Sequence, residues 1–176
     1  KKLNDFGESS RFMEFDQFGQ LWIAHPQKGY YKIILSDNGE ESKEVKFYNE
    51  KYSNVAPYAY FCKIDGNLFF YNPLGFFSYD PIDNKFIKAK YPSEIFKGIK
   101  NINSITQYDD VFWYSSKESL GYILREGNKF KRIEEPFNLL KRNHLNDFNK
   151  FTKISNSVYG IGILDGMFFH EIKGAT

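Results

Sequence analysis

The sequence predicts an all-β protein, a β-propeller segment of about four blades. Each blade is an antiparallel four-stranded sheet, the last is incomplete, and this chain alone does not close the ring. Three observations predict it. The first is a repeated plan in residues 16–33, D-Q-F-G-Q-L-W-I-A-H-P-Q-K-G-Y-Y-K-I. A Gly-bearing turn feeds an apolar strand, and a polar loop with a second glycine feeds an aromatic one. The second observation is spacing. Gly29, Gly75, Gly121 and Gly166 recur at intervals of 46, 46 and 45 residues, and Trp22, Phe69, Phe112 and Tyr159 at 47, 43 and 47. A strand-patterned period of roughly 40–50 residues is a propeller signature. The third is composition. Aromatic residues make up 19% of 176 residues, and such rings favour pleated, half-buried surfaces.

Residues 1–10 are polar and read as a linker, and residues 11–176 as one partial propeller domain. Blade one spans 11–50. Its strands are 11–16, 20–25, 29–35 and 44–48, with Gly19 in the first turn and the cluster Ser36-Asp37-Asn38-Gly39 in the last. Blade two spans 58–91, with strands 58–64, 67–71, 75–80 and 85–90. Asp65-Gly66 is a strong two-residue hairpin signal between its first pair. The crossing at 91–101 has room for one helical turn with Ser93 as cap. Blade three spans 102–134, with strands 102–108, 111–115, 120–125 and 129–134. The crossing 135–150 carries Leu139, Leu140, Leu145 and Phe148, a packed and partly helical pattern. Blade four spans 151–172 with three strands, 151–155, 158–163 and 167–172.

Composition also narrows function. Net charge is +2, and lysines are interspersed with acids rather than massed into a stripe. That argues against a nucleic-acid surface. No apolar run approaches the ~20 residues of a membrane helix, so no membrane contact is expected of this segment. No apolar leader follows Lys1-Lys2 and no initiating Met is present, as in a piece of a larger protein. The single Cys62 sits in an apolar strand and reads as a small core residue. His25, His144 and His170 are far apart and unaccompanied by cysteines, so neither a metal site nor a cofactor is expected. No nucleophile elbow or phosphate loop occurs. Asp109-Asp110 reads as a turn rather than an acid/base pair, because adjacent strand residues face opposite ways. No catalytic residue is named.

The repeat aromatics Trp22, Phe69, Phe112 and Tyr159 read as one blade position packed between sheets. Gly19, Gly29, Gly66, Gly75, Gly121 and Gly166 punctuate the same repeat. Ligand groups belong instead on the loops between second and third strands and between blades, which in a propeller gather on one face. Those loops supply His25, Lys28, Tyr58, Asn72, Lys117, Glu118, Arg142, His144 and Asp165. Their amphipathic and hydrogen-bonding side chains suit a neutral polyol or an acidic sugar. The unpaired strand edges at both ends favour self-association, or packing against neighbouring blades of a parent protein.

The turn-Gly-x-Leu-Trp-Ile segment with Gly-Tyr-Tyr-Lys-Ile resembles the regulator-propeller repeat of hybrid two-component sensors of gut Bacteroidetes. The matching residues are Asp16, Gly19, Leu21, Trp22, Ile23, Gly29 and Tyr30 in blade one. In blade two they are Asp65, Gly66, Leu68, Gly75 and Phe76, with Phe69 in place of the Trp. Blade three lacks the turn glycine and blade four the Asp-Gly turn. The resemblance implies a periplasmic sensor segment. Its parent would carry a membrane helix, a histidine kinase and transcription-regulating domains. Its ligand would be a glycan-derived oligosaccharide that controls carbohydrate-utilisation genes. Two other readings stay open: a structural or protein-binding propeller with no small ligand, and a propeller glycan lyase or hydrolase.

Overall fold

The computed structural model describes residues 6–7, 10, 12–25, 27–135, 137, 150–163 and 166–172. It is all-β, with four antiparallel sheets of the propeller-blade type. Alternating apolar residues give each strand one inward face, and tight turns set the register. Blade one is β1 (Phe12–Phe15), β2 (Leu21–His25), β3 (Gly29–Leu35) and β4 (Ser42–Tyr48), paired in that order. Blade two is β5 (Tyr60–Ile64), β6 (Asn67–Asn72), β7 (Gly75–Asp80) and β8 (Lys85–Lys88). The helix α1 (Lys90–Ile95) follows. Blade three is β9 (Ile102–Tyr108), β10 (Val111–Ser116), β11 (Leu120–Glu126) and β12 (Lys129–Ile133). Blade four has three strands among the described residues, β13 (Lys150–Lys153), β14 (Val158–Ile163) and β15 (Gly166–Glu171). Contacts divide the chain into two compact units, Lys1–Glu94 and Ile95–Thr176.

Within the first unit, blades one and two bury a shared aromatic cluster. Trp22, Ala24, Tyr30 and Tyr48 come from blade one, and Leu68, Phe70, Phe77 and Phe86 from blade two. Trp22 meets Phe70 edge-on with ring centroids 4.6 Å apart. The Tyr30 hydroxyl reaches the carbonyls of Tyr60 and Tyr71, each at 3.1 Å, and so straps β3 to blade two. Burial holds its ionisation far above the ordinary phenol range. In the second unit, Trp113 stacks on Phe151 at 5.4 Å and lies 5.2 Å from Tyr159. The Tyr108 hydroxyl donates to the Phe151 carbonyl at 3.0 Å, a second such strap.

The structure corrects several sequence expectations. Trp22, Phe69, Phe112 and Tyr159 do not occupy one blade position. Trp22 lies on the face of blade one that meets blade two. In blade three, Trp113 joins the cluster shared with blade four, while Phe112 lies on the other face beside Phe96. Tyr159 looks back at blade three. After the two-residue turns of blades two and three, Phe69 and Trp113 are each the third residue of the second strand, so Trp113 and not Phe112 is the counterpart of Phe69, and a shift of one residue flips a strand side chain to the opposite face. Ser93 is no cap. It lies inside α1, and its hydroxyl donates back to the Ala89 carbonyl at 2.6 Å. β8 ends at Lys88, before that helix, and β5 starts at Tyr60, after Tyr58 takes a left-handed φ of 62°. In the linker, Phe6 packs edge-on against Tyr31 and Ser10 donates to the Ala24 carbonyl at 2.8 Å. Leu139, Leu140, Leu145 and Phe148 lie outside the described residues.

Two glycines are forced by close approach. A Cβ at Gly29 would sit 2.1 Å from the Tyr48 carbonyl oxygen, and one at Gly121 2.4 Å from that of Ile133. Both precede a tyrosine that pairs with the last residue of the outer strand, Tyr30 with Tyr48 and Tyr122 with Ile133. The outer strand can reach that residue only where the inner strand has no side chain.

Candidate functional site

The sequence-predicted ligand residues fall in three groups. His25, Lys28, Tyr58 and Asn72 belong to the first unit. His25 ends β2, and its Nδ1 accepts from the Gln27 N–H at 3.3 Å. Lys28 follows in the same turn and is exposed. Tyr58 is exposed on the crossing between β4 and β5. Asn72 ends β6 and is committed internally. Its side-chain amide donates to the Asn54 carbonyl at 2.9 Å, and its oxygen accepts from the Leu74 N–H at 2.8 Å. A buried amide with both ends satisfied orders the crossing; it has little left for a ligand. Lys117 and Glu118 belong to the second unit, in the β10–β11 turn. The Ser116 hydroxyl fixes that turn by accepting from the Glu118 and Ser119 N–H groups. Arg142, His144 and Asp165 lie outside the described residues.

Sequence reasoning missed a cleft at the other end of the first unit. It measures about 130 Å³ and is lined by the β1–β2 turn (Asp16, Gln17, Phe18) and by Asn67, Phe69, Ser78 and Tyr79. Asp16 builds the turn. One carboxylate oxygen accepts from the Phe18 and Gln20 N–H groups, both at 2.9 Å. The other accepts from the Trp22 indole N–H at 2.8 Å. The turn thereby presents Gln17 and an exposed Phe18 beside the side chains of blade two. Behind the cleft, the Tyr48 and Tyr79 hydroxyls lie 2.9 Å apart and both reach the Asn84 side-chain oxygen at 2.8 Å. The Lys32 ammonium stands 4.8 Å over the Tyr79 ring. Burial and the neighbouring Tyr79 hydroxyl push the Tyr48 phenol far above its ordinary range.

Ligand pockets commonly enclose roughly 300–1,000 Å³, so a cleft of about 130 Å³ seats no more than one small ring or amide. Its lining of ring edges, two carboxamides, two hydroxyls and the Asp16 carboxylate is chemistry for hydrogen-bonding groups. The signal in the sequence was the Asp16-Gln17-Phe18-Gly19 turn, longer than its counterparts and bearing an aromatic at its tip.

Among the described residues, no group of three or more His, Cys, Asp or Glu side chains converges to hold a metal. Burial holds the Cys62 thiol well above its usual range, which leaves it unreactive. Glu134 sits beside Arg132 and Tyr114. Partial burial opposes its ionisation, but the hydrogen bonds from Arg132 and Tyr114 outweigh it and hold the carboxyl below its ordinary value. That cluster is a clamp at the end of blade three. Its Tyr114 phenol is pushed up to about 12, by burial first and then by the Glu134 contact. No helix among the described residues is long and apolar enough to cross a membrane.

No protein-family model matches the chain, and no curated protein matches it in sequence. Among the solved structures that share its fold are two of one protein. Both are of the extracellular domain of BT4673 from B. thetaiotaomicron, provisionally designated a hybrid two-component system in one and a one-component system in the other. The first aligns with a TM-score of 0.55 and 15% identity over 99% of this chain and 24% of that one. The second aligns with a TM-score of 0.51 and 20% identity over 93% of this chain and 20% of that one. At these identities the likeness is one of fold, and the chain spans no more than about a quarter of the neighbours' length. The propeller architecture implied by the regulator-propeller resemblance is the architecture found.

Proposed function

We propose that this chain is a ligand-sensing, extracytoplasmic propeller segment of a two-component signalling protein, exposed in the periplasm, with glycan-derived oligosaccharides as its ligand class. The observation that carries it is the fold likeness over 99% of the chain to an extracellular domain of such a system. The repeat residues Asp16, Gly19, Leu21, Trp22, Gly29 and Tyr30 support the same family independently of the fold. The turn-borne groups His25, Lys28 and Tyr58, together with the hydrogen-bonding cleft beside Phe18, supply aromatic and polar contacts of the kind a sugar takes. Control of carbohydrate-utilisation genes would then lie with kinase and DNA-binding parts of a longer protein.

Calorimetric titration with a panel of glycan oligosaccharides tests this reading. Saturable heat with one glycan class, weakened by Lys28→Ala or Phe18→Ala, is the expected result. A flat response across neutral and acidic members overturns the glycan assignment. Product release from the same panel would instead favour a lyase or hydrolase. A protein-binding propeller is the second reading, favoured by the consecutive exposed side chains Met167, Phe168 and Phe169.

A further inference from the structure

The sheets are not equally well knit. In blade one the second and third strands pair over five positions, from Leu21 opposite Ile33 to His25 opposite Gly29. In blade three they also pair over five, from Val111 opposite Leu124 to Ser115 opposite Leu120. In blade two the ladder between β6 and β7 holds three pairs and stops at Phe70 opposite Phe77. Both strands run on. β6 begins at Asn67 and β7 ends at Asp80, and over that stretch each pairs only with its other neighbour, β5 or β8. The Ala89 N–H donates to the Phe76 carbonyl at 2.9 Å. Even-numbered residues of β7 therefore bond toward β8 and odd-numbered ones toward β6, by the alternation of an antiparallel ladder. Leu68 and Tyr79 are the next bonded pair that this pattern calls for, and it is not formed. The gap opens on the cleft of about 130 Å³, whose lining includes both residues.

We propose that this cleft seats the acetamido group of an N-acetylated amino sugar. The inference rests on the glycan reading above and narrows it. The split ladder presents the Tyr79 N–H on one strand and the Leu68 C=O on the other. A planar trans amide points its own C=O and N–H in opposite directions. It bridges the gap, accepting from Tyr79 and donating to Leu68, as an inserted strand would. Its methyl group lies toward the apolar floor of Trp22 and Phe70. The volume fits the acetamido group and leaves the sugar ring at the mouth, against the exposed ring of Phe18. Asn67 uses its side-chain N–H on the Asp65 carbonyl at 3.1 Å and keeps its oxygen as an acceptor for a ring hydroxyl. The two oxygens of Asp16 already accept three N–H groups. The negative charge of Asp16 opposes a carboxylate in the same space, so the cleft favours a neutral N-acetyl sugar over a uronic acid.

Amide NMR of the isotope-labelled chain tests the proposal, with N-acetylglucosamine and glucose as probes. Before either is added, the Tyr79 N–H should exchange with solvent faster than the Phe77 N–H, which the ladder holds. Equal protection of the two would remove the gap and the proposal with it. N-acetylglucosamine should then shift the Leu68 and Tyr79 resonances saturably, and glucose should not. Phe18→Ala should weaken that binding about tenfold, the loss of one stacking ring. Lys28→Ala, at the other end of the unit, should leave it unchanged. Both substitutions are at exposed sites. Shifts that glucose reproduces overturn the proposal. So does N-acetylglucosamine that leaves Leu68 and Tyr79 unmoved, whether it binds elsewhere or not at all. Either result leaves glycan sensing standing, because the wider oligosaccharide panel tests that separately.

Discussion

Trp22 and Trp113 each fill the space between the two sheets of their own unit, but their indole N–H groups are treated differently. In the first unit the N–H donates to Asp16 Oδ2 at 2.8 Å. In the second, the Trp113 Nε1 and the neighbouring Ser115 Oγ are buried with no hydrogen-bond partner among the described residues. The cause is the turn. Five residues between β1 and β2 let Asp16 fold under the strand and reach the indole. Two residues between β9 and β10 leave Asp109 and Asp110 facing outward, where Asp109 pairs with Lys153 and Asp110 with Arg125 at 3.4 Å. Blade three therefore uses its carboxylates on exposed ion pairs, which are worth little. It leaves unpaired an N–H whose burial costs about 1–3 kcal/mol. Among the described residues, turn length thus separates a satisfied indole from an unsatisfied one.

The comparison can be broken or sharpened by substitution, with stability read from denaturant unfolding. The largest effect is expected from truncating either ring. Trp22→Ala and Trp113→Ala should each cost about 3–5 kcal/mol, the range for large aromatic cavities. The two glycines come next. Gly29→Ala brings its Cβ to 2.1 Å from a backbone oxygen at a φ of +125°, whereas Gly121→Ala meets one at 2.4 Å with no positive φ. Overpacking alone is expected to cost about 1–3 kcal/mol at both sites, with a further ~1–3 kcal/mol of backbone strain at Gly29 only. Equal losses would show that φ contributes nothing. Third is the indole comparison itself. Trp22→Phe forfeits a satisfied bond and Trp113→Phe removes an unsatisfied donor, so the first should be less stable by about 1–3 kcal/mol. Ser115→Ala should be the mildest, within ~0.5 kcal/mol of the parent or stabilising.

A pH series separates the units further. Burial beside Trp113 and Phe137 holds His170 below its ordinary value. The unfolded chain then binds a proton more readily than the folded one. This contribution to stability is complete above the ordinary histidine value of about 6.5 and is lost as pH falls toward the lower folded value. His170→Gln should flatten that part of the profile, and an unchanged slope would contradict the assignment.

Much of the fold was legible because its signals are local. Alternation located the strands. Asp65-Gly66 specified its hairpin, and both residues take the positive φ that such a turn needs, 48° and 77°. The close contacts at Gly29 and Gly121 explain why glycine marks the repeat there. What was hidden depends on registers that sequence spacing does not carry. Counting back from each glycine picks Phe112 where Trp113 faces the shared core, because loop lengths differ and the side-chain period is only two. Asn72 looks like a ligand group by type and position, but it is consumed by the crossing it orders. The long turn bearing Phe18 signals one wall of the cleft, but Asn67, Phe69, Ser78 and Tyr79 of blade two supply the other, a pairing that local sequence does not announce.

The chain has two tryptophans, one in each unit, so each blade pair carries its own reporter. Acrylamide quenching of Trp113→Phe and Trp22→Phe, each against its denatured form, asks whether both indoles are sealed between sheets. The account predicts strong shielding of the remaining indole in both variants. A native indole quenched as readily as its denatured counterpart in either variant would contradict it.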